Sequence, residues 1–239
     1  QLFGYEQVAK RIANIHLTFS TNKGQVICNM KPVIDLEKEY GLVLEGGGAK
    51  GAYQIGAWRA LKEAGVKIKG VAGTSVGALN GALICMDDYE NAKKVWENIT
   101  YSKIMSVKDE QMQKLFREKK ADITMLKDAF NLMKEGGIDV TPLRELIAEC
   151  IDEEKILNSP IDLYVLTFDV DEWKELDIDI KECEDPSMIK DFLLASAYIF
   201  PLFKNEKLHG KTYIDGGAIN NVPPVSYTHL RAHETSAHL

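Results

Sequence analysis

The hydrophobic positions of this chain form short apolar runs, which alternate with longer segments whose apolar residues recur every three or four positions. Apolar runs at residues 41–44, 68–72 and 163–170 predict buried strands. The segments 52–64 and 78–86 have helical spacing and lie directly after the first two runs. Strands that alternate with helices are typical of a mostly parallel sheet flanked by helices, so we expect one α/β domain.

The rest of the chain extends this prediction. Further helices are expected at residues 89–99, 142–150 and 186–197, and a further strand at residues 173–180. The stretch 207–214 leads to Asp215 and is expected to contain a turn at His209 and Gly210. Alternating residues at 15–19 and 25–28 predict a hairpin before the first of these strands. Two helical stretches between residues 102 and 135 have an apolar stripe, which fits either a lid over a site or ordinary packing on the sheet.

Ser75 occurs in the sequence Gly73-Thr74-Ser75-Val76-Gly77, between the second apolar run and the following helical segment. This is the spacing of a nucleophile elbow, in which serine occupies a sharp turn from strand to helix. Glycine on either side lets neighbouring backbone pass close to the turn. The alternative is a purely structural glycine-rich turn capped by serine.

A glycine-rich loop follows the first predicted strand and consists of Gly46, Gly47, Gly48, Ala49, Lys50 and Gly51. Its uncovered N–H groups and the start of the next helix suit a negative oxygen, as in an oxyanion hole or a phosphate cradle. The pattern G-x-G-x-x-G is also satisfied, which leaves a nucleotide-binding protein as an alternative. The acid expected after the second strand of such a fold is absent, because Thr74 and Ser75 stand there.

A carboxylate followed by two glycines, Asp215-Gly216-Gly217, comes directly after the stretch 211–214. Asp-Gly turns are common, so this motif alone indicates only an open turn. Its significance comes from the two motifs that precede it.

Together, the loop, the elbow and this turn resemble the patatin-like phospholipase family, in which G-G-G-x-[RK]-G, G-x-S-x-G and D-G-[GA] occur in this order. Residues 195–203 are similar to the family's alanine, serine and proline stretch, although Tyr198 and Ile199 replace smaller or prolyl residues. The resemblance covers about residues 40–223. It implies a patatin-like three-layer fold, with a central, mostly parallel sheet flanked by helices, and a serine lipid acyl hydrolase acting on phospholipids or lysophospholipids.

The resemblance also implies roles for individual residues. Ser75 would be the nucleophile and Asp215 its general base, without a histidine and without a metal or organic cofactor. The other site residues implied are the oxyanion loop (Gly46, Gly47, Gly48, Ala49, Lys50, Gly51), the elbow glycines (Gly73, Gly77) and the turn glycines (Gly216, Gly217). Two alternatives stay open: a general carboxylesterase or acyltransferase using the same residues, and a phosphate- or nucleotide-binding protein using the loop.

Composition narrows the choice of partners. The 239 residues carry a formal net charge of −7, which disfavours nucleic acid as a partner. We expect a lipid substrate met at a membrane or micelle surface, and leave the oligomeric state open. The four cysteines are widely spaced, which indicates free thiols in a reducing cytosol. We therefore expect a cytoplasmic protein, and the expected lipid substrate implies peripheral contact with a membrane.

Three segments are predicted along the chain. Residues 1–39 form an N-terminal extension, and residues 40–224 form the catalytic domain, which we expect to be incomplete at its C-terminus. Residues 225–235 can be back-translated into a string that matches a sequencing-library adapter, so residues 225–239 are predicted to be a non-native read-through tail. For this reason, and because a dyad needs no histidine, we assign no role to His229, His233 and His238. A coding sequence that continues through different codons would contradict this hypothesis.

Overall fold

The computed structural model describes residues 34–107, 109, 136–204, 206–221 and 237–238. The predicted N-terminal hairpin, most of the predicted lid segment and most of the predicted tail lie outside these residues. The strands are β1 (Glu39–Leu44), β2 (Lys67–Thr74), β3 (Asp162–Asp169), β4 (Lys174–Asp179), β5 (Lys207–Leu208), β6 (Lys211–Asp215) and β7 (Ala237–His238). The helices are α1 (Gly51–Glu63), α2 (Val76–Cys85), α3 (Tyr89–Asn98), α4 (Thr141–Cys150), α5 (Glu153–Leu157) and α6 (Met188–Ser196).

The described strands form one mixed sheet in the order β5-β6-β3-β2-β1-β7, and β4 also pairs with β3. The pairs β1–β2 and β2–β3 are parallel. β7 adds a short parallel pair to β1 at Leu42 and Val43. The remaining pairs, β3–β4, β3–β6 and β5–β6, are antiparallel.

The centre of the sheet is covered on both faces. Successive residues 70–74 of β2 and 165–169 of β3 are all buried, although neighbouring side chains in a strand point to opposite faces. Continuous burial of this kind is typical of strands enclosed between helices. The predicted α/β fold, a mostly parallel sheet flanked by helices, is therefore confirmed.

The predicted turn at His209 and Gly210 is confirmed, because both residues have positive φ angles and separate β5 from β6. The short helix α5 was not predicted, since five residues are too few for a helical period to be recognised in the sequence. Its N-terminus is capped by the Asp152 carboxylate, which accepts a hydrogen bond from the Lys155 amide at 3.1 Å.

The arrangement around β3 positions the site. β4 pairs with residues 164–169 along one edge of β3, and β2 pairs with residues 162–166 along the other edge. β6 pairs with residues 167–169 on the same edge of β3 as β2, directly beyond the point where the pairing with β2 ends. Because β2 is parallel and β6 antiparallel to β3, the C-terminal ends of β2 and β6 meet.

Candidate active site

Ser75 lies in a sharp turn between β2 and α2, with φ 56° and ψ −127°. A residue with a side chain rarely adopts this conformation, which costs on the order of 1–3 kcal/mol. The flanking glycines are needed for close backbone approach. A Cβ on Gly73 would lie 2.4 Å from the Gly77 carbonyl oxygen, and a Cβ on Gly77 would lie 2.2 Å from that of Leu44. The turn is therefore packed so closely that the backbone of Ser75 is held in its strained conformation.

Asp215 reaches Ser75 through the register of the sheet. Thr74, the last residue of β2, pairs with Leu166, and Asp215, the last residue of β6, pairs with Thr167. Leu166 and Thr167 are neighbours in β3. The two strand ends are therefore adjacent in space, although they are far apart in the sequence.

The two side chains are in contact in a nearly dry environment. Ser75 and Asp215 are each only 7% exposed, and the Ser75 hydroxyl donates a hydrogen bond to the Asp215 carboxylate. The same carboxylate accepts a second hydrogen bond from the Gly217 amide at 2.7 Å. Burial raises the pKa of Asp215, and the two hydrogen bonds offset only part of this rise. A carboxylate with a raised pKa is a better proton acceptor than one in water.

The glycine-rich loop passes directly beside the serine, since a Cβ on Gly46 would lie 3.1 Å from the Cβ of Ser75. Within the described part of the chain, the amides of Gly47, Gly48 and Ala49 donate no hydrogen bond. The next two amides are engaged, because Lys50 donates to the Gly47 carbonyl at 3.2 Å and Gly51 donates to that of Gly48. The loop thus leaves three amides for an incoming oxygen and uses two to close its own turn. The Lys50 side chain is exposed to solvent.

Asn80 anchors the start of α1, and its role was not predicted. Its side-chain amide donates to the Gly51 carbonyl at 2.9 Å and accepts from the Trp96 indole at 2.9 Å. Gly51 is also wedged against α2, because a Cβ there would lie 2.5 Å from Val76. The one signal in the sequence is a single asparagine inside the otherwise apolar segment of α2.

Asn221 joins the loop to the acid turn, and this role was also not predicted. Its amide donates to the Gly46 carbonyl at 3.3 Å. Its oxygen lies 2.6 Å from the position of a Cβ on Gly46 and 2.9 Å from one on Gly217. Glycine at both positions therefore makes room for the Asn221 side chain. Nothing in the local sequence indicates this contact, because it joins residues on opposite sides of the site.

Other candidate chemistry is sparse in the ranges that the structure describes. No group of three or more His, Cys, Asp or Glu side chains there is arranged to hold a metal ion. Cys85, Cys150 and Cys183 are free thiols, and burial raises the pKa of Cys85 to about 12. Among the same described residues, no helix combines the length and apolar character that crossing a bilayer requires.

A serine on a strand-to-helix elbow, beside a buried carboxylate and loop amides that have no acceptor among the described residues, is the arrangement typical of serine hydrolases with an α/β fold. The model of the family "Patatin-like phospholipase" matches residues 42–226, and the chain belongs to this family.

Individual relatives match shorter segments. A segment of 62 residues, 24% of the chain, is 50% identical to "Lysophospholipase nte1" of Aspergillus terreus. A segment of 47 residues, 20% of the chain, is 57% identical to "Neuropathy target esterase sws" of Drosophila sechellia. These matches span 4% and 3% of the two relatives' lengths. Among solved structures, VipD from Legionella pneumophila matches with a TM-score of 0.49 and 19% identity over 77% of this chain and 47% of VipD.

Proposed function

We propose that the chain is a serine lipid acyl hydrolase that cleaves carboxylic ester bonds of phospholipids or lysophospholipids through a Ser75–Asp215 dyad. The observation that carries this proposal is the buried Asp215 carboxylate, which accepts the hydrogen bond of the Ser75 hydroxyl beside three loop amides that have no acceptor among the described residues. Nucleophile, base and oxyanion donors therefore lie in one place, as acyl transfer requires.

In the first half of the reaction, the Ser75 oxygen attacks the ester carbonyl carbon as its proton passes to Asp215. The carbonyl oxygen becomes an oxyanion, which the amides of Gly47, Gly48 and Ala49 stabilise. The tetrahedral intermediate then collapses. The carbon–oxygen bond of the ester breaks, Asp215 returns the proton to the departing alcohol, and the acyl group stays on Ser75.

In the second half, a water molecule gives a proton to Asp215 and attacks the acyl-enzyme. The new tetrahedral intermediate releases the fatty acid, and Ser75 regains its proton. In each half of the reaction, Asp215 holds the transferred proton while the tetrahedral intermediate exists. The scheme therefore needs no metal or organic cofactor, because the chain supplies the nucleophile, the base and the stabilising dipoles.

Two findings support a lipid as the substrate. The family to which the chain belongs is described as "Patatin-like phospholipase", and one matched relative is named a lysophospholipase. We further propose that the protein meets its substrate peripherally, from the cytoplasm, at a membrane or micelle surface. A general carboxylesterase or an acyltransferase would use the same residues, and a preference for short soluble esters over long-chain lipids would favour these alternatives.

The test compares wild type with Ser75→Ala and Asp215→Asn on a panel of phospholipids, lysophospholipids and short esters, together with labelling by a fluorophosphonate probe. Asp169→Asn is the matched control, since Asp169 is another buried carboxylate, paired with Lys211 at 3.0 Å. We expect Ser75→Ala and Asp215→Asn to lose turnover almost completely, and Asp169→Asn to keep it per folded molecule. A folded wild type that remains unlabelled, while a nucleotide raises its melting temperature, would overturn the proposal.

A further inference from the structure

The backbone amide of Ser75 has an unusual acceptor. It donates to the hydroxyl of Ser196 at 2.8 Å, and this hydroxyl donates in turn to the Leu166 carbonyl at 2.6 Å. Ser196 is the last residue of α6 and is fully buried. The nucleophile is therefore tied to β3 through the side chain of a third element.

The position of this bridge explains why a hydroxyl is needed. The β2–β3 ladder ends at the pair Thr74 and Leu166, because the chain turns at Ser75 to form the elbow. The next amide would then be buried without a partner, which is costly. A serine hydroxyl both accepts and donates, so it can be inserted between this amide and the Leu166 carbonyl. Alanine in its place would leave both groups unsatisfied.

The same carbonyl also contacts the acid turn. A Cβ on Gly216 would lie 2.9 Å from the Leu166 oxygen, so Gly216, the residue after Asp215, passes directly over it. The Leu166 carbonyl thus contacts both sides of the site: it is linked to the Ser75 amide through Ser196, and it packs against the backbone of Gly216, next to Asp215. A change in the length of the bridge would alter the spacing between the two reacting side chains.

We propose that Ser196 is a positioning residue for the reaction, because its hydroxyl sets the orientation of the Ser75 backbone relative to Asp215. This inference rests on the proposed function, since it assigns Ser196 to the same site. The Ser196 hydroxyl accepts its hydrogen bond from the peptide N–H that precedes the Ser75 Cα. The orientation of this peptide controls the direction in which the Ser75 side chain leaves the elbow. Ser196 itself exchanges no proton with the substrate.

The experiment compares Ser196→Ala with Ser159→Ala. Ser159 is also buried, and its hydroxyl accepts a backbone hydrogen bond, from the Ile161 amide at 3.1 Å, but it lies outside the site. We expect Ser196→Ala to lower kcat for a soluble ester and the rate of fluorophosphonate labelling by about 10- to 100-fold, with KM changed less than about twofold. Ser159→Ala should keep both rates within about twofold of wild type. A role limited to stability would lower the melting temperature without changing the rate per folded molecule.

A second pair of variants covers the case in which Ser196→Ala does not fold. Ser196→Thr and Ser196→Val add nearly the same bulk, but only threonine keeps the hydroxyl. We expect threonine to be labelled at least about tenfold faster per folded molecule, with the folded fraction measured by circular dichroism. Equal rates for the two variants, or a folded Ser196→Ala with wild-type kcat, would overturn the inference. A wild type that the probe does not label would instead refute the proposed function.

Discussion

Gly77 offers the sharpest test of how the site is packed. It lies in the first turn of α2, and the Cβ of an alanine there would be 2.2 Å from the Leu44 carbonyl oxygen and 2.9 Å from that of Glu45. The first distance is about 1.2 Å short of an ordinary contact of 3.4 Å. Both obstacles are backbone atoms just before Gly46, so no side chain can rotate away. The start of α2 must therefore move relative to the glycine-rich loop.

This displacement has a predicted magnitude. Overpacking typically costs about 1–3 kcal/mol of unfolding free energy, and a misplacement of about 1 Å at a site can cost about 100-fold in rate. We therefore expect Gly77→Ala to lose about 2–3 kcal/mol of stability and about 100-fold in kcat/KM. The loss of rate should exceed the loss of folded protein, because the shift separates Ser75 from the amides of the loop.

Gly81→Ala is the matched control in the same helix. Its Cβ would lie 3.0 Å from the Leu163 Cδ1 and 3.1 Å from the Val71 Cγ1, and side-chain methyl groups can yield by a few tenths of an ångström. Alanine also favours the helix by up to about 1 kcal/mol, so stability should change by less than about 1 kcal/mol. Urea unfolding and ester hydrolysis measure the two quantities. If Gly77→Ala matched Gly81→Ala in both, the close-approach argument would be refuted.

Three further predictions follow from the site. Because burial raises the pKa of Asp215 above its ordinary value of 3.8, its contribution to stability is complete below that value and is lost as pH rises through the folded pKa. Asp215→Asn should therefore have a melting temperature at least as high as that of wild type at pH 7, and the difference between the two melting temperatures should shrink towards pH 3. A difference that grows towards pH 3 would contradict this prediction. Asn221→Ala should lower kcat by about tenfold more than Asn220→Ala, since only Asn221 joins Gly46 to the acid turn, and equal effects in a kinetic assay would argue against that role. The Cys85 thiol, whose pKa burial raises to about 12, should react with a thiol reagent in the folded protein far more slowly than Cys150, and equal rates would show that it is accessible.

The elements nearest the elbow could be predicted from local sequence. Residues 68–72 and 78–86 show their strand and helix through apolar spacing, and the glycines around Ser75 mark the turn between them. These signals are reliable because the contacts concerned, such as that between Gly73 and the Gly77 carbonyl, join residues close in the sequence. The turn at His209 and Gly210, which divides residues 207–214 into two strands, is a local signal of the same kind.

The contacts made by polar residues outside the loop, the elbow and the acid turn could not be predicted in this way. Ser196, Asn80 and Asn221 each contact a site residue from another element, at separations of 121, 29 and 175 positions. A serine or an asparagine looks the same in the sequence whether it is exposed or bridges two buried backbone groups. Its partners depend on which elements the fold brings together.

The α/β class, the elbow at Ser75, the glycine-rich loop and the Asp-Gly-Gly turn can be recognised in the sequence, because backbone conformation and hydrophobic spacing are local properties. The folded structure is needed to show that β2 and β6 share one edge of β3, so that Thr74 and Asp215 pair with adjacent residues of that strand. It is also needed to show the burial that raises the pKa of Asp215. Proximity and dehydration depend on the packing of distant segments, and no local pattern of residues encodes them.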